Sequence, residues 1–182
     1  MVKIAILGYG TVGSGVYEIL KKNPPSIAKK AGDSIEIKYI LDIREFDGHP
    51  EKHLFTKNFD DILNDDEVSI VVEVMGGLEP AYSFSKSALL KGKSVVTSNK
   101  ELVATHGTEL IRLAKEHDAN YFFEASVGGG IPIIRPLNQC LTANEIDEVH
   151  GILNGTTNFI LTKMFEEGAT FESSLREAQS LG

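Results

Sequence analysis

A run of six residues near the start, Gly8-Tyr9-Gly10-Thr11-Val12-Gly13, carries glycine at its first, third and sixth positions. That spacing lets a chain turn sharply, bring its backbone close to a bound group, and pack a helix tightly on a strand. The group such a turn accepts is a pyrophosphate, because the helix N-terminus that follows offers free N–H donors and a partial positive charge. A second group is Asp42, which ends the apolar run "IEIKYILD". A carboxylate at that place accepts the ribose hydroxyls of NAD, whereas Arg44, two residues on, suits the extra phosphate of NADP. Because Asp42 repels a phosphate, the sequence leans toward NAD while leaving NADP open.

Three more places offer reactive side chains. Lys100 follows Ser98 and Asn99 near a helix start. On its own it reads as a surface lysine, but a helix N-terminus disfavours a cation, so a neighbouring phosphate, carboxylate or substrate oxygen explains it better. Glu124 ends "YFFE" and is followed by small residues from Ala125 to Gly130. It reads either as a carboxylate turned to water or, together with loop carbonyls, as a hard-oxygen cation site. Glu73 stands oddly within "VVEVM", and its role stays open. Cys140, the single cysteine, has no basic neighbour in sequence to make it a thiolate and is expected to be a small core residue. Thioester chemistry is therefore disfavoured, and plain hydride exchange between an alcohol and a carbonyl is the better fit. His49 and His53, four apart and followed by or near Pro50, are expected in a solvated loop rather than at a metal.

The elements that position these groups alternate. Apolar or β-branched runs at 2–7, 35–42, 68–75 (closed by Gly76 and Gly77), 94–97 and 120–124 read as strands. Helical spacing at 11–22, 79–91 and 105–119, with a short piece at 59–66, reads as helices between them. "NPPSIAKKAGDS" reads as a loop on its two prolines and glycine, and 43–58 as irregular. The fold class is therefore α/β, a doubly wound Rossmann-type parallel sheet. Right-handed crossovers put every strand's C-terminal end on one edge. That edge receives Gly8–Gly13, Asp42, Met75-Gly76-Gly77, Ser98-Asn99-Lys100 and Glu124. "EIDEVHGIL" alternates as a further strand after about residue 135, inside the start of a second α+β domain. The expected division is 1–134 and 135–182.

Composition bounds the rest. The chain has 182 residues and a formal net charge of -8, with no basic run, which argues against a nucleic acid or an anionic membrane as partner. One cysteine excludes an internal disulfide framework and points to a reducing cytoplasm. No apolar stretch approaches the length of a membrane span.

Four segments, "VVEVMGGLEPA", "VVTSNKELVA", "FFEASVGGGIPII" and "GILNGTTNFIL", together with the glycine turn, resemble the successive motifs of homoserine dehydrogenases, in order along the whole chain. The resemblance implies interconversion of L-homoserine and L-aspartate 4-semialdehyde with NAD(P), in threonine and methionine biosynthesis. It implies a nucleotide-binding domain followed by a substrate domain through which two chains dimerise. By motif position, Lys100 lies near nicotinamide and substrate. Glu124 and the carbonyls of Val127, Gly129 and Ile131 match the family's sodium site, and Thr156 and Asn158 lie near the domain junction. The family continues past "EAQSLG" into a segment with carboxylates and a second lysine, so the 182 residues are expected to bind cofactor but to turn over substrate negligibly. The competing class is a non-catalytic dinucleotide-binding or redox-sensing module, which would carry a basic recognition helix or another partner-binding domain.

Overall fold

The structure is a computed structural model and describes residues 1–152 and 154–181. It divides into two compact units, Met1–Cys140 and Leu141–Gly182. The first unit holds a six-stranded sheet in the order β3-β2-β1-β4-β5-β6, every adjacent pair parallel. The strands are β1 (Val2–Leu7), β2 (Ile35–Leu41), β3 (Phe55–Thr56), β4 (Val68–Glu73), β5 (Ser94–Thr97) and β6 (Tyr121–Phe122). Strand order reverses at β1, so a crevice opens between the C-terminal ends of β1 and β4.

Strands buried on both faces must be apolar at successive positions, which is why β1 is apolar throughout Ile4–Leu7 and β4 throughout Ile70–Val72. Ile4 and Ile6 pack with Ile37 and Ile40 on one face, against Val16 and Leu20 of helix α1 (Thr11–Lys22). Ala5, Leu7, Val71 and Val95 pack on the other, against α4 (Ala81–Leu90) and α5 (Lys100–Glu116). Helices α2 (Pro24–Ala31) and α3 (Asp60–Leu63) lie in the connections, and α6 (Ala125–Gly128) and α7 (Ile134–Gln139) follow β6.

Several expectations change. Residues 24–31 form α2 rather than a loop, because prolines fit the first turn of a helix, where the missing N–H is not needed; Gly32 then ends it with φ +83°. Segment 43–58 contains β3, whose two residues pair with Ile40 and Leu41, too short for any periodicity to show. Helix α5 begins at Lys100, five residues earlier than its apolar spacing predicts, because the Asn99 side chain accepts the Leu102 N–H at 3.1 Å and caps it. Cys140 caps α7 and is exposed, not a core residue. His49 is half-buried among Tyr9, Tyr17 and Phe55, with Nε2 2.9 Å from the Tyr9 hydroxyl, rather than in a solvated loop.

In the second unit, α8 (Gly155–Glu166) and α9 (Phe171–Leu181) pack against each other, with Ile160 buried and Lys163 paired to Glu167 and Glu177. Residues 145–152 form no strand, although their sequence alternates. A strand needs a partner's backbone groups, and among the described residues none lies alongside. No helix among them is long and apolar enough to cross a membrane.

Candidate functional site

The turn from β1 into α1 leaves no room for a side chain at two of its glycines. Gly8 has φ +98°, and a Cβ on it would meet Val74 O at 3.2 Å. A Cβ on Gly13 would lie 2.0 Å from the Gly8 carbonyl oxygen, so only glycine lets α1 start this close to β1. Gly10 has open space around it and faces solvent. It is also the N-cap of α1, and being glycine it offers no side chain to the first turn. The N–H groups of Thr11, Val12 and Gly13 have no intrahelical acceptor by helix geometry. Tyr9 differs from the sequence expectation. Its N–H is committed to Asp42 Oδ2 at 2.8 Å, and its ring turns away into a cluster with Tyr17, Phe46, His49 and Phe55. What Tyr9 does here is anchor the turn to the loop after β2.

Asp42 follows β2 and is nearly buried, its side chain 7% exposed. Arg44 donates to it from its backbone N–H (3.0 Å) and from Nε (2.9 Å), both to Oδ1, and from Nη2 to Oδ2 (2.9 Å). With the Tyr9 N–H, that makes four donors for a carboxylate that has about four acceptor positions. The Arg44 hydrogen bonds hold the Asp42 carboxyl well below the usual carboxylate range. Arg44 itself is exposed, and Nη2 also reaches the Tyr9 carbonyl at 2.8 Å. Beside this pair lies a cavity of about 290 Å³ lined by Gly8, Asp42, Ile43, Lys57, Met75 and Phe84, at the C-terminal ends of β1, β2 and β4. Lys57 is a residue that sequence reasoning missed, since nothing in a polar segment marks the turn of β3 that carries it here.

Met75, Gly76 and Gly77 follow β4, the two glycines exposed and Gly77 at φ +76°. Ser98 is half-buried after β5, and Lys100 is exposed at the first position of α5. Glu73, open in the sequence, is fully buried at the end of β4. It accepts the Met75 N–H at 2.8 Å and the Thr97 hydroxyl at 2.5 Å. Burial pushes its carboxyl above the usual value despite those bonds.

Glu124 precedes α6 and turns its carboxylate inward. Oε1 accepts the N–H groups of Ile133 (2.5 Å) and Ile134 (2.9 Å), and Oε2 that of Arg135 (2.8 Å). These bonds lower its carboxyl from the ordinary value. Glu124 thus clasps the start of α7, and three of about four acceptor positions are spent. Val127 lies in α6, Gly129 takes φ +60°, and Ile131 is exposed. Among the described residues, no group of three or more His, Cys, Asp or Glu gathers to hold a metal. Thr156 and Asn158 lie in the first turn of α8, where Asn158 Nδ2 donates to the Asn154 carbonyl at 2.6 Å.

Comparison with known proteins accords with this geometry. A family model described as "Homoserine dehydrogenase, NAD binding domain" matches residues 8–124, and one described as "Homoserine dehydrogenase" matches 132–182. The homoserine dehydrogenase of Lactococcus lactis is 43% identical over 186 residues, covering all of this chain and 44% of its own. The crystal structure of a homoserine dehydrogenase from Thiobacillus denitrificans superposes with a TM-score of 0.88 at 43% identity, covering all of this chain and 42% of that one. A hyperthermophilic archaeal homoserine dehydrogenase in complex with NADPH superposes with a TM-score of 0.81 at 33% identity, covering all of this chain and 61% of that one. The chain thus spans less than half the length of the curated relatives it matches.

Proposed function

The chain belongs to the homoserine dehydrogenase family, and from that premise we propose that its first unit holds the nicotinamide dinucleotide of an enzyme that interconverts L-homoserine and L-aspartate 4-semialdehyde. In the oxidising direction the alcohol carbon gives a hydride to the nicotinamide ring and the hydroxyl gives up its proton. The aldehyde, NAD(P)H and a proton result. The observation that carries this reading is the β1–α1 turn: a glycine N-cap, open first-turn N–H groups, and a helix brought onto the strand by Gly13. Gly8, Gly10, Thr11, Val12 and Gly13 hold the pyrophosphate, while Tyr9 holds the turn in register. Met75, Gly76, Gly77 and Ser98 line the path of the nicotinamide half. Lys100 stands beside it, placed to bind the substrate oxygen and help move its proton.

On the choice of cofactor, the geometry favours the 2′-phosphate. Asp42 has no acceptor position to spare for ribose hydroxyls while Arg44 clasps it, and its charge is compensated there. The exposed Arg44 guanidinium lies in a pocket beside Asp42 that Lys57 also lines, Lys57 held there in an ion pair with Glu45, so a phosphate gains the guanidinium N–H groups that Asp42 leaves free. NADP is therefore accepted at least as well as NAD, against the lean that Asp42 alone gives.

A weakly held sodium ion would take the one remaining acceptor position of Glu124 together with the carbonyls of Val127, Gly129 and Ile131. Its charge would order the loop between α6 and α7. Dimerisation through residues after about 135 is consistent with the exposure of Ile146, Val149, Ile152 and Phe165. A reducing cytoplasm suits the one exposed cysteine.

The test is a nicotinamide absorbance assay with homoserine, run on this chain and on one extended to the length of its relatives, alongside calorimetry of NAD and NADP binding. Dinucleotide binding by both and turnover by the longer chain are expected. Absence of dinucleotide binding to either would overturn the reading.

A further inference from the structure

At the rim between β4 and β5 a buried polar chain runs from one loop to the next. Glu73 and Thr97 are register partners on adjacent strands. Both are fully buried, and Asn99 is nearly so. The Glu73 carboxylate accepts the Met75 N–H at 2.8 Å with one oxygen and the Thr97 hydroxyl at 2.5 Å with the other. The Thr97 oxygen in turn accepts the Asn99 N–H at 3.0 Å. Asn99 then divides its amide: Nδ2 donates to the Gly77 carbonyl at 2.7 Å, and Oδ1 caps α5 by accepting the Leu102 N–H at 3.1 Å. The carboxylate is thus tied to the start and, through Thr97 and Asn99, to the end of the 75–77 loop, and to the helix whose first residue is Lys100.

A buried carboxylate is costly, and a hydrophobic residue would fill the same place in the sheet with less strain on the energetics. Nothing about the packing of β4 calls for it, since its register partner Leu7 on β1 and Val71, two residues before it on the same face of β4, belong to the apolar core. The Tyr121 hydroxyl, buried without a hydrogen-bond partner among the described residues, also feels the Glu73 charge. What the carboxylate supplies is direction. As an acceptor only, it forces the Thr97 hydroxyl to donate inward, which leaves the Thr97 lone pairs for the Asn99 N–H. Two exposed glycines would otherwise leave the 75–77 loop free to move relative to α5.

We propose that Glu73 is a positioning residue, which through Thr97 and Asn99 fixes the distance between the 75–77 loop and Lys100 and so shapes the berth of the nicotinamide half. The proposal rests on the reading that a dinucleotide binds at this rim. In a doubly wound sheet the two mononucleotide halves lie on opposite sides of the switch point, so the adenosine half sits over β1–β3 and the nicotinamide half over β4–β6. A fault in the Glu73–Thr97–Asn99 chain therefore acts on one half of the cofactor.

The experiment measures, by calorimetry, the affinity of the full chain for the whole dinucleotide and for its adenosine diphosphate half, the latter with the 2′-phosphate if NADP is the tighter ligand. Thr97→Val keeps the volume and the Met75 tether but removes the donor to Glu73. It is expected to weaken the dinucleotide about tenfold while the half-ligand stays within about twofold. Thr97→Ser restores the hydroxyl and should bind both like wild type. Glu73→Met keeps an unbranched side chain of similar size but accepts neither the Met75 N–H nor the Thr97 hydroxyl, and should follow Thr97→Val. Equal weakening of both ligands by Thr97→Val would mark the chain as general scaffold, and unchanged binding of both would remove it from the site; either result overturns the proposal. Failure of the wild-type chain to bind the dinucleotide would instead overturn the cofactor reading on which it rests.

Discussion

Arg44 clasps Asp42 with its guanidinium edge, Nε 2.9 Å from Oδ1 and Nη2 2.9 Å from Oδ2. A carboxylate that reads in the sequence as a hydroxyl acceptor is thereby a saturated anchor. Its partner, not the carboxylate, is the group exposed to solvent beside the cavity.

The first expectation follows from that pair. Arg44→Ala should cost NADP about 1.5–3 kcal/mol, roughly 10- to 150-fold in affinity, the range for a hydrogen-bonded charge contact. NAD should bind with unchanged or better affinity, since Asp42 regains acceptor positions for ribose hydroxyls. Calorimetry of both cofactors at one ionic strength decides it. An equal loss for the two would mean that Arg44 only holds the loop.

The glycine turn separates binding from folding. Gly13→Ala drives a Cβ into the Gly8 carbonyl, a backbone atom that cannot swing aside. A loss of about 3 kcal/mol or more is expected for so severe a clash, lowering the melting temperature by roughly 6–12 °C. Gly10→Ala meets nothing within 4 Å. Its melting temperature should match wild type, while its new methyl crowds the pyrophosphate and weakens dinucleotide binding. Thermal melts with and without cofactor would show both, and a destabilised Gly10→Ala chain would count against the assignment.

Lys100 is expected to matter to chemistry more than to cofactor binding. In the enzyme at the length of its relatives, Lys100→Met should lower kcat by about 10²-fold or more, the usual scale for a lost proton-transfer or oxygen-binding group. The dissociation constant of NADP should change little. A variant with normal kcat and a raised cofactor dissociation constant would reassign the lysine to the phosphates.

Glu124 makes a pH prediction. Its folded carboxyl titrates below the ordinary value because it accepts the Ile133, Arg135 and Ile134 N–H groups. A depressed carboxyl stabilises the fold above its unfolded value, and that contribution is lost as pH falls through the folded value. Amide protection factors at 133–135 should therefore hold at neutral pH and decline on acidification below about 4.5, the ordinary carboxyl value. Glu124→Ala should show low protection there at every pH. Protection that persists at neutral pH in Glu124→Ala would show that α7 needs no carboxylate to start.

Much of this protein is set by local sequence. Strand β1 and helix α1 fall where apolar runs, helical spacing and the glycine turn put them, because a doubly buried strand and a close helix crossing tolerate few other residues. The parallel sheet follows from strand–helix alternation and the handedness of crossovers, and it alone places Gly8–Gly13, Asp42, Met75–Gly77, Ser98 and Lys100 on one edge. What only the tertiary structure decides is how each polar group spends its hydrogen bonds. Asp42 and Arg44 look like rivals for one ribose until the loop after β2 closes them on each other. Glu124 looks free until Ile133, Ile134 and Arg135 arrive from beyond a glycine-rich bend to occupy it. Glu73 has no readable role in a strand until β5 brings Thr97 alongside. The same limit explains the short strand at Phe55 and the strand that residues 145–152 do not form, because pairing depends on a partner's backbone and not on the pattern of the segment itself.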